Sequence, residues 1–177
     1  MTEINELHSW LRKHERDIVR LLRRMVEIES PSRDKASVDG MSRLVAAEWR
    51  KRGSRVRILR QRECGDQVIA ELQSRRKTAG RQLLVLGHMD TVYPVGTLAK
   101  TPFRVAKGLA WGPGTFDMKA GLAIALAAAD AMRALKLSAR RKVVFLCTSD
   151  EEVGSRASRA IIEREARKSE AVFVLEP

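Results

Sequence analysis

The chain has 177 residues, of which 44% are hydrophobic and 32% charged, and its formal net charge is +12. That length suits one domain with a sizeable core. No apolar run reaches the length of a membrane span, and the charged start MTEINELHSWLRKHERD has no apolar signal core, so a cytoplasmic protein with no membrane partner is expected. The basic residues are spread along the whole chain without interleaved aromatics for base stacking, which sets nucleic acid aside as a partner.

From Ile4 to Ile28, the spacing of Leu7, Leu11, Ile18, Leu22, Met25 and Val26 predicts one amphipathic helix, stopped by Ser30-Pro31-Ser32. A second helix is expected from about Ala36 to Arg52, with Val38, Met41, Leu44, Val45 and Trp49 facing inward and Gly53 ending it. Arg55–Leu59 and Gln67–Leu72 read as strands, and a polar turn follows from Arg75 to Gly80. Leu83-Leu84-Val85-Leu86 is a short apolar run that ends in Gly87-His88-Met89-Asp90, the pattern of a buried strand. Thr91–Thr101 is loop, and Phe103–Trp111 suits a small hairpin turning at Lys107-Gly108. Gly112-Pro113-Gly114 then delivers Asp117 to the start of an Ala-rich helix from Met118 to Leu135.

Lys142–Cys147 is a second buried strand, ending in Thr148-Ser149-Asp150-Glu151-Glu152. A helix over about Arg156–Arg167 leads to a last apolar strand, Ala171–Leu175, ending in Glu176-Pro177. Strands alternating with helices predict an α/β three-layer sandwich around a largely parallel mixed sheet. The strands ending at Leu86, Cys147 and Leu175 are expected at its buried centre. Cys64 and Cys147 have no partner at metal-binding spacing, so both are expected as free thiols in a reducing compartment.

Three apolar strands thus end in an imidazole or carboxylate: His88 with Asp90, Glu151 with Glu152, and Glu176. Asp117 opens a helix. Taken singly, each has a plain structural reading: a hydrogen-bonded surface His, an N-cap Asp, a solvated first turn of acids. Together, at the carboxyl ends of neighbouring parallel strands, they would share one crevice. So many carboxylates in one place repel unless a cation sits among them. Two divalent ions about 3.5–4 Å apart are a recurrent solution for hydrolysis. Imidazole and carboxylate ligands without Cys suit Zn²⁺, with Co²⁺ or Mn²⁺ also compatible.

The runs His88-Met89-Asp90-Thr91-Val92, Gly112-Pro113-Gly114-Thr115-Phe116-Asp117-Met118-Lys119 and Asp150-Glu151-Glu152-Val153-Gly154, followed by Glu176-Pro177, resemble the M20 metallopeptidases. That family includes glutamate carboxypeptidase, acetylornithine deacetylase, succinyl-diaminopimelate desuccinylase and aminoacylase. The run from His88 through Tyr93 and the phrase Gly112-Pro113-Gly114 are most similar to the glutamate carboxypeptidase branch. The resemblance implies a zinc-exopeptidase-like fold. It also implies hydrolysis of an amide or peptide bond, in an acyl-amino acid or C-terminal glutamate-type substrate, by a hydroxide held between two metals. It would give His88 to one metal, Asp117 to both as a bridge, Glu152 to the second, and Glu176 to the first. Glu151 would be the general base, and Asp90 would accept a hydrogen bond from the His88 ring and fix its tautomer.

M20 members are longer, with an inserted dimerisation domain and a further metal-binding His near the C-terminus. The remaining imidazoles here are His8 and His14, on different faces of the first helix. The expectation is therefore that residues 1–177 are the N-terminal portion of an M20-type catalytic domain, apparently truncated. It would have an unequal pair of metal sites, a small-molecule or peptide substrate, and no family-type homodimer without the missing domain. The alternative is an inactive remnant that binds a metal or a protein partner without catalysis.

Overall fold

A computed structural model describes residues 3–72 and 80–177. In chain order its elements are α1 (Glu3–Lys13), α2 (Glu15–Val26), α3 (Lys35–Lys51), β1 (Arg55–Leu59), β2 (Gln67–Glu71), β3 (Gln82–His88), α4 (Thr97–Lys100), β4 (Arg104–Ala106), β5 (Leu109–Trp111), α5 (Ala120–Ala134), β6 (Val143–Thr148), α6 (Arg159–Arg167) and β7 (Ser169–Val174). The polar turn expected from Arg75 lies outside the described residues, apart from Gly80.

The main sheet has the order β1-β2-β6-β3-β7. The pairs β6–β3 and β3–β7 are parallel, whereas β1–β2 and β2–β6 are antiparallel. All strands but β2 therefore run in one direction, which is the mixed, largely parallel sheet expected from the alternation of strands and helices. On one face, α2, α3 and α5 bury Leu22, Met25, Met41, Val45, Trp49, Leu122 and Leu126 against Val68, Ala70, Phe145 and Cys147. Trp49 and Phe145 pack with ring centroids 4.0 Å apart and ring planes tilted by 31°, a contact that adds about 1 kcal/mol to the burial of their area. On the other face, Ile161 of α6 packs on Ile69, Leu84, Val144 and Leu146. The pleat sends alternate side chains of β3 and β6 into the two cores, and this makes three layers.

The local signals explain most element ends. Asp34 caps α3 by accepting from the Ser37 backbone N–H, and Gly53 follows that helix at φ +76°. Lys107 and Gly108 both take positive φ, +52° and +76°, as a tight hairpin between β4 and β5 requires. Cys64 and Cys147 are both free and buried, and burial pushes the Cys147 thiol up to about 12.

Four expectations need correction. The helix expected from Ile4 to Ile28 is two, broken at His14. There the Nδ1 atom of His14 lies 2.8 Å from the Trp10 carbonyl and the imidazole stacks on the Trp10 ring. The Trp10 carbonyl thus accepts from the His14 ring as well as from the His14 backbone N–H, 3.1 Å away. The loop after Thr91 contains the single turn α4. The last helix begins at Arg159, later than expected, because the chain after Glu152 first makes a turn through Gly154 at φ +92°. Finally, β7 is not central. It forms an edge of the described sheet, and Val172, Phe173 and Val174 are exposed. Continuous apolar character marks a strand that is covered on both faces, and nothing among the described residues covers these three.

Candidate metal centre

The site forms where three parallel strands end level with one another. In the β3–β6 ladder His88 pairs with Thr148, so the chain beyond β6 carries Glu151 and Glu152 to the same end. In the β3–β7 ladder Leu86 pairs with Val174, which brings Glu176 level with His88. This is the crevice outside the carboxyl ends of the strands where open α/β sheets hold their ligands. Asp117 arrives from another direction, on the irregular turn of Thr115–Lys119 that leads into α5. Gly112 and Gly114, at φ +154° and +67°, shape that turn. A Cβ on Gly114 would lie 2.6 Å from the Thr91 side chain, so only glycine fits. The Asp117–Met118 peptide bond is cis.

His88 is 1% exposed and central to the group. Its Nε2 lies 2.9 Å from Asp117 Oδ1, 3.5 Å from Glu176 Oε1 and 3.8 Å from Glu151 Oε2. One ligand atom each from His88, Asp117 and Glu152 fall within 4.8 Å of one another. The structure thus brings together all six residues singled out from the sequence: His88, Asp90, Asp117, Glu151, Glu152 and Glu176.

The other ring nitrogen, Nδ1, is 2.9 Å from the Asp90 carbonyl oxygen and 3.4 Å from Asp90 Oδ1. A carbonyl only accepts, so Nδ1 carries a hydrogen and Nε2 is left to face the carboxylates. The Asp90 side chain is itself held. Its two oxygens accept the backbone N–H groups of Glu151 at 3.3 Å and Glu152 at 3.2 Å. Asp90 therefore reaches both parts: its carbonyl orients the imidazole, and its carboxylate, beside the same nitrogen, holds the acidic turn after β6.

The electrostatics call for a cation. Burial raises the carboxyls of Glu152 and Glu176, and the charge of Asp117 raises both further. Burial would lower the His88 imidazole, but the carboxylates of Asp90, Glu176 and Glu151 overcome this and lift it to about 9. Without another cation, a proton on His88 partly neutralises the cluster. A buried imidazole with a fixed tautomer among carboxylates is a donor set that fits a divalent ion of the Zn²⁺ kind.

Other residues build the frame, and the sequence reading missed them. Ser30 donates to the Met89 carbonyl at 2.8 Å, and Pro31 bridges in parallel to Thr91. The Ser30-Pro31-Ser32 stretch, read only as a helix stop, thus clamps the chain on both sides of Asp90. Met118 Sδ accepts from the His88 backbone N–H at 3.0 Å. Lys119 is buried and donates to the Ile28 carbonyl at 2.7 Å, and burial pushes its ammonium down to about 8. These pairings span tens of residues, and no local pattern announces them.

Comparisons with known proteins bear on the fold and the family. Carboxypeptidase G2 from Pseudomonas sp. (strain RS-16) is 32% identical over 164 residues, covering 90% of this chain and 38% of that protein. Succinyl-diaminopimelate desuccinylase from Methylorubrum extorquens (strain PA1) is 40% identical over 100 residues, 51% of this chain and 25% of the relative. Among solved structures, human carnosine dipeptidase 1 superposes with a TM-score of 0.81 at 21% identity, over 96% of this chain and 40% of that one. The chain thus spans well under half the length of each. The model of Peptidase family M20/M25/M40 matches residues 84–177, the stretch that holds His88, Asp90, Asp117, Glu151, Glu152 and Glu176, and by that match the chain belongs to this peptidase family.

Proposed function

We propose that the chain carries the N-terminal part of the catalytic domain of a metal-dependent hydrolase that cleaves an amide or peptide bond, in an acyl-amino acid or C-terminal glutamate-type substrate. The observation that carries this reading is the buried His88 imidazole with its Nε2 2.9 Å from Asp117 and 3.5 Å from Glu176, beside Glu152. Family membership and the names of the relatives support the reaction class.

In this reading His88, Asp117 and Glu176 hold one ion, while Asp117 and Glu152 face a second. When bound, divalent ions of the Zn²⁺ type lower the pKa of water and polarise a carbonyl oxygen. The chain's own residues do the rest. Asp90 holds His88 in the Nδ1–H tautomer and keeps Nε2 as the ligand atom. Glu151 is half-exposed, so it reaches solvent at the mouth of the cluster. There it can take a proton from the attacking water and return it to the leaving nitrogen. The carboxylates of Asp117, Glu152 and Glu176 give the site a charge that only a cation balances.

Metal loading by calorimetry tests the ligand assignment. One tight Zn²⁺ per chain is expected, because the second position has only Asp117 and Glu152 and no second imidazole joins the cluster among the described residues. His88→Ala should remove the tight event, and two equally tight ions would refute the assignment. Hydrolysis of acyl-amino acids with added Zn²⁺ or Co²⁺ tests the chemistry. Glu151→Ala should lower any turnover by about 10²–10⁴-fold. The same lack of a second imidazole favours the alternative of metal binding without catalysis. In that case the tight Zn²⁺ event appears and no turnover does.

A further inference from the structure

Residues 50–62, RKRGSRVRILRQR, include no acid. The run closes α3 and forms β1, an edge strand of the main sheet. Part of its charge is used within the fold. Lys51 and Arg52 each pair with Glu48 at 2.8 Å, and Arg60 pairs with Asp66 at 2.6 Å. Arg55, Arg57 and Arg62 are exposed, and no carboxylate among the described residues pairs with them. The pleat sorts β1 into two faces. Val56 and Ile58 pack on the helix-covered core, while Arg55 and Arg57 stand on the opposite face.

The outer side of β1 is bare. β2 pairs with its inner side from Arg55 to Leu59, and no described strand pairs with the other. Alternate backbone N–H and C=O groups of an edge strand point outward, open to another chain. Arginines on an edge are a device against pairing, because they repel a second copy of the same edge. That repulsion depends on sign: it rejects a basic strand and favours an acidic one.

The structure assigns the outer edge of β1 as a docking site for an acidic extended peptide, which adds to the sheet as a further strand. The peptide backbone completes the ladder of β1, and acidic side chains at alternate positions stand opposite Arg55 and Arg57. The positions between them extend the apolar row of Val56 and Ile58. The recognised pattern is therefore acid-x-acid with an apolar x, matched to Arg55–Leu59. A nucleic acid offers the charge but no ladder of amides, and the run holds no aromatic side chain for base stacking. β1 lies three strand spacings from β3, about 14 Å, so the site does not depend on the metal-centre reading.

The test is titration of the isotope-labelled 177-residue protein with three capped pentapeptides, read by NMR shifts of the backbone amides. The probe is Glu-Val-Glu-Val-Glu. Lys-Val-Lys-Val-Lys reverses the charge, and Glu-Pro-Glu-Pro-Glu keeps it but lacks the N–H groups of a ladder strand. The probe should shift the amides of Arg55–Leu59 and bind at least about tenfold more tightly than either control. Added salt should weaken it. The double change Arg55→Thr and Arg57→Thr keeps residues suited to a strand and should erase the preference for Glu over Lys. Arg57→Thr alone should reduce it, which keeps the test decisive if the double variant does not fold. Arg164→Gln, which removes a charge from α6 instead, should bind as the parent does. No binding, equal affinity for either control, shifts confined to β7, or an undiminished preference in a folded variant overturns the proposal. A DNA duplex that shifts the β1 amides and displaces the probe at equal charge concentration gives the surface to nucleic acid and overturns it too.

Discussion

Asp90 connects two parts of the site that are remote in sequence. Its carboxylate lies 3.4 Å from His88 Nδ1 and accepts from the Glu151 and Glu152 amides. Asp90→Ala should therefore weaken Zn²⁺ binding by about 10–100-fold, and it should loosen the turn after β6 by leaving two amides unpaired, at about 1–3 kcal/mol. Calorimetry for the metal and chemical denaturation for stability separate the two effects. Gly114 is a second such residue. At φ +67°, with Thr91 Cγ2 2.6 Å from where a Cβ would lie, Gly114→Ala should cost at least about 1–2 kcal/mol. It should also lower metal affinity by moving Asp117. A variant with wild-type stability and affinity would contradict the close-approach account.

At the scale of elements, helices α2 and α3 and the centre of α5 are tied by charge as well as by packing. Glu48 is 4% exposed and accepts from Arg24 at 3.0 Å, Lys51 at 2.8 Å and Arg52 at 2.8 Å. Arg52 also reaches Asp130 of α5 at 2.6 Å. Burial alone would raise the Glu48 carboxyl, but the three cations outweigh it and bring it from 4.5 down to about 2. A group depressed in the folded state stabilises above its unfolded pKa, and that stability is lost as pH falls through the folded value. The window is therefore from pH about 4.5 down to about 2, and the contribution is on the order of 3 kcal/mol by linkage. Glu48→Gln should flatten the acid limb of a stability-against-pH curve in that window and lower stability at pH 7. A curve parallel to the parent's would show that the cluster contributes nothing. The break between α1 and α2 belongs to this scale too. The apolar spacing runs through His14 unchanged, so hydrophobic periodicity marks the face of the helices but not the kink.

Across the whole molecule, the two edges of the sheet, β1 and β7, differ in what covers their faces. β1 is backed by α3, while β7 leaves Val172, Phe173 and Val174 exposed on an edge. Exposed apolar edges template pairing with other chains. The purified chain should associate in a concentration-dependent way, and Phe173→Lys should reduce it, as read by sedimentation or light scattering. A monomer at all concentrations would remove the edge as a contact.

The sequence alone determined the strands and the chemistry at their ends. Short apolar runs followed at once by Gly-His-x-Asp, Asp-Glu-Glu or Glu-Pro are local signals, because burial of a strand and polarity at its end are both written within a few residues. The glycine turn before Asp117 is local in the same way. The tertiary structure decided register and neighbourhood. That β3, β6 and β7 lie side by side with their ends level follows from ladders between residues about 60 to 90 positions apart, and periodicity carries no information on which strand pairs with which. The clamp of Ser30 and Pro31 on the chain around Asp90 and the exposure of β7 have the same origin. Each depends on which surfaces meet once the layers pack, and a composition that reads equally apolar in a buried strand and an edge strand does not say which will be covered.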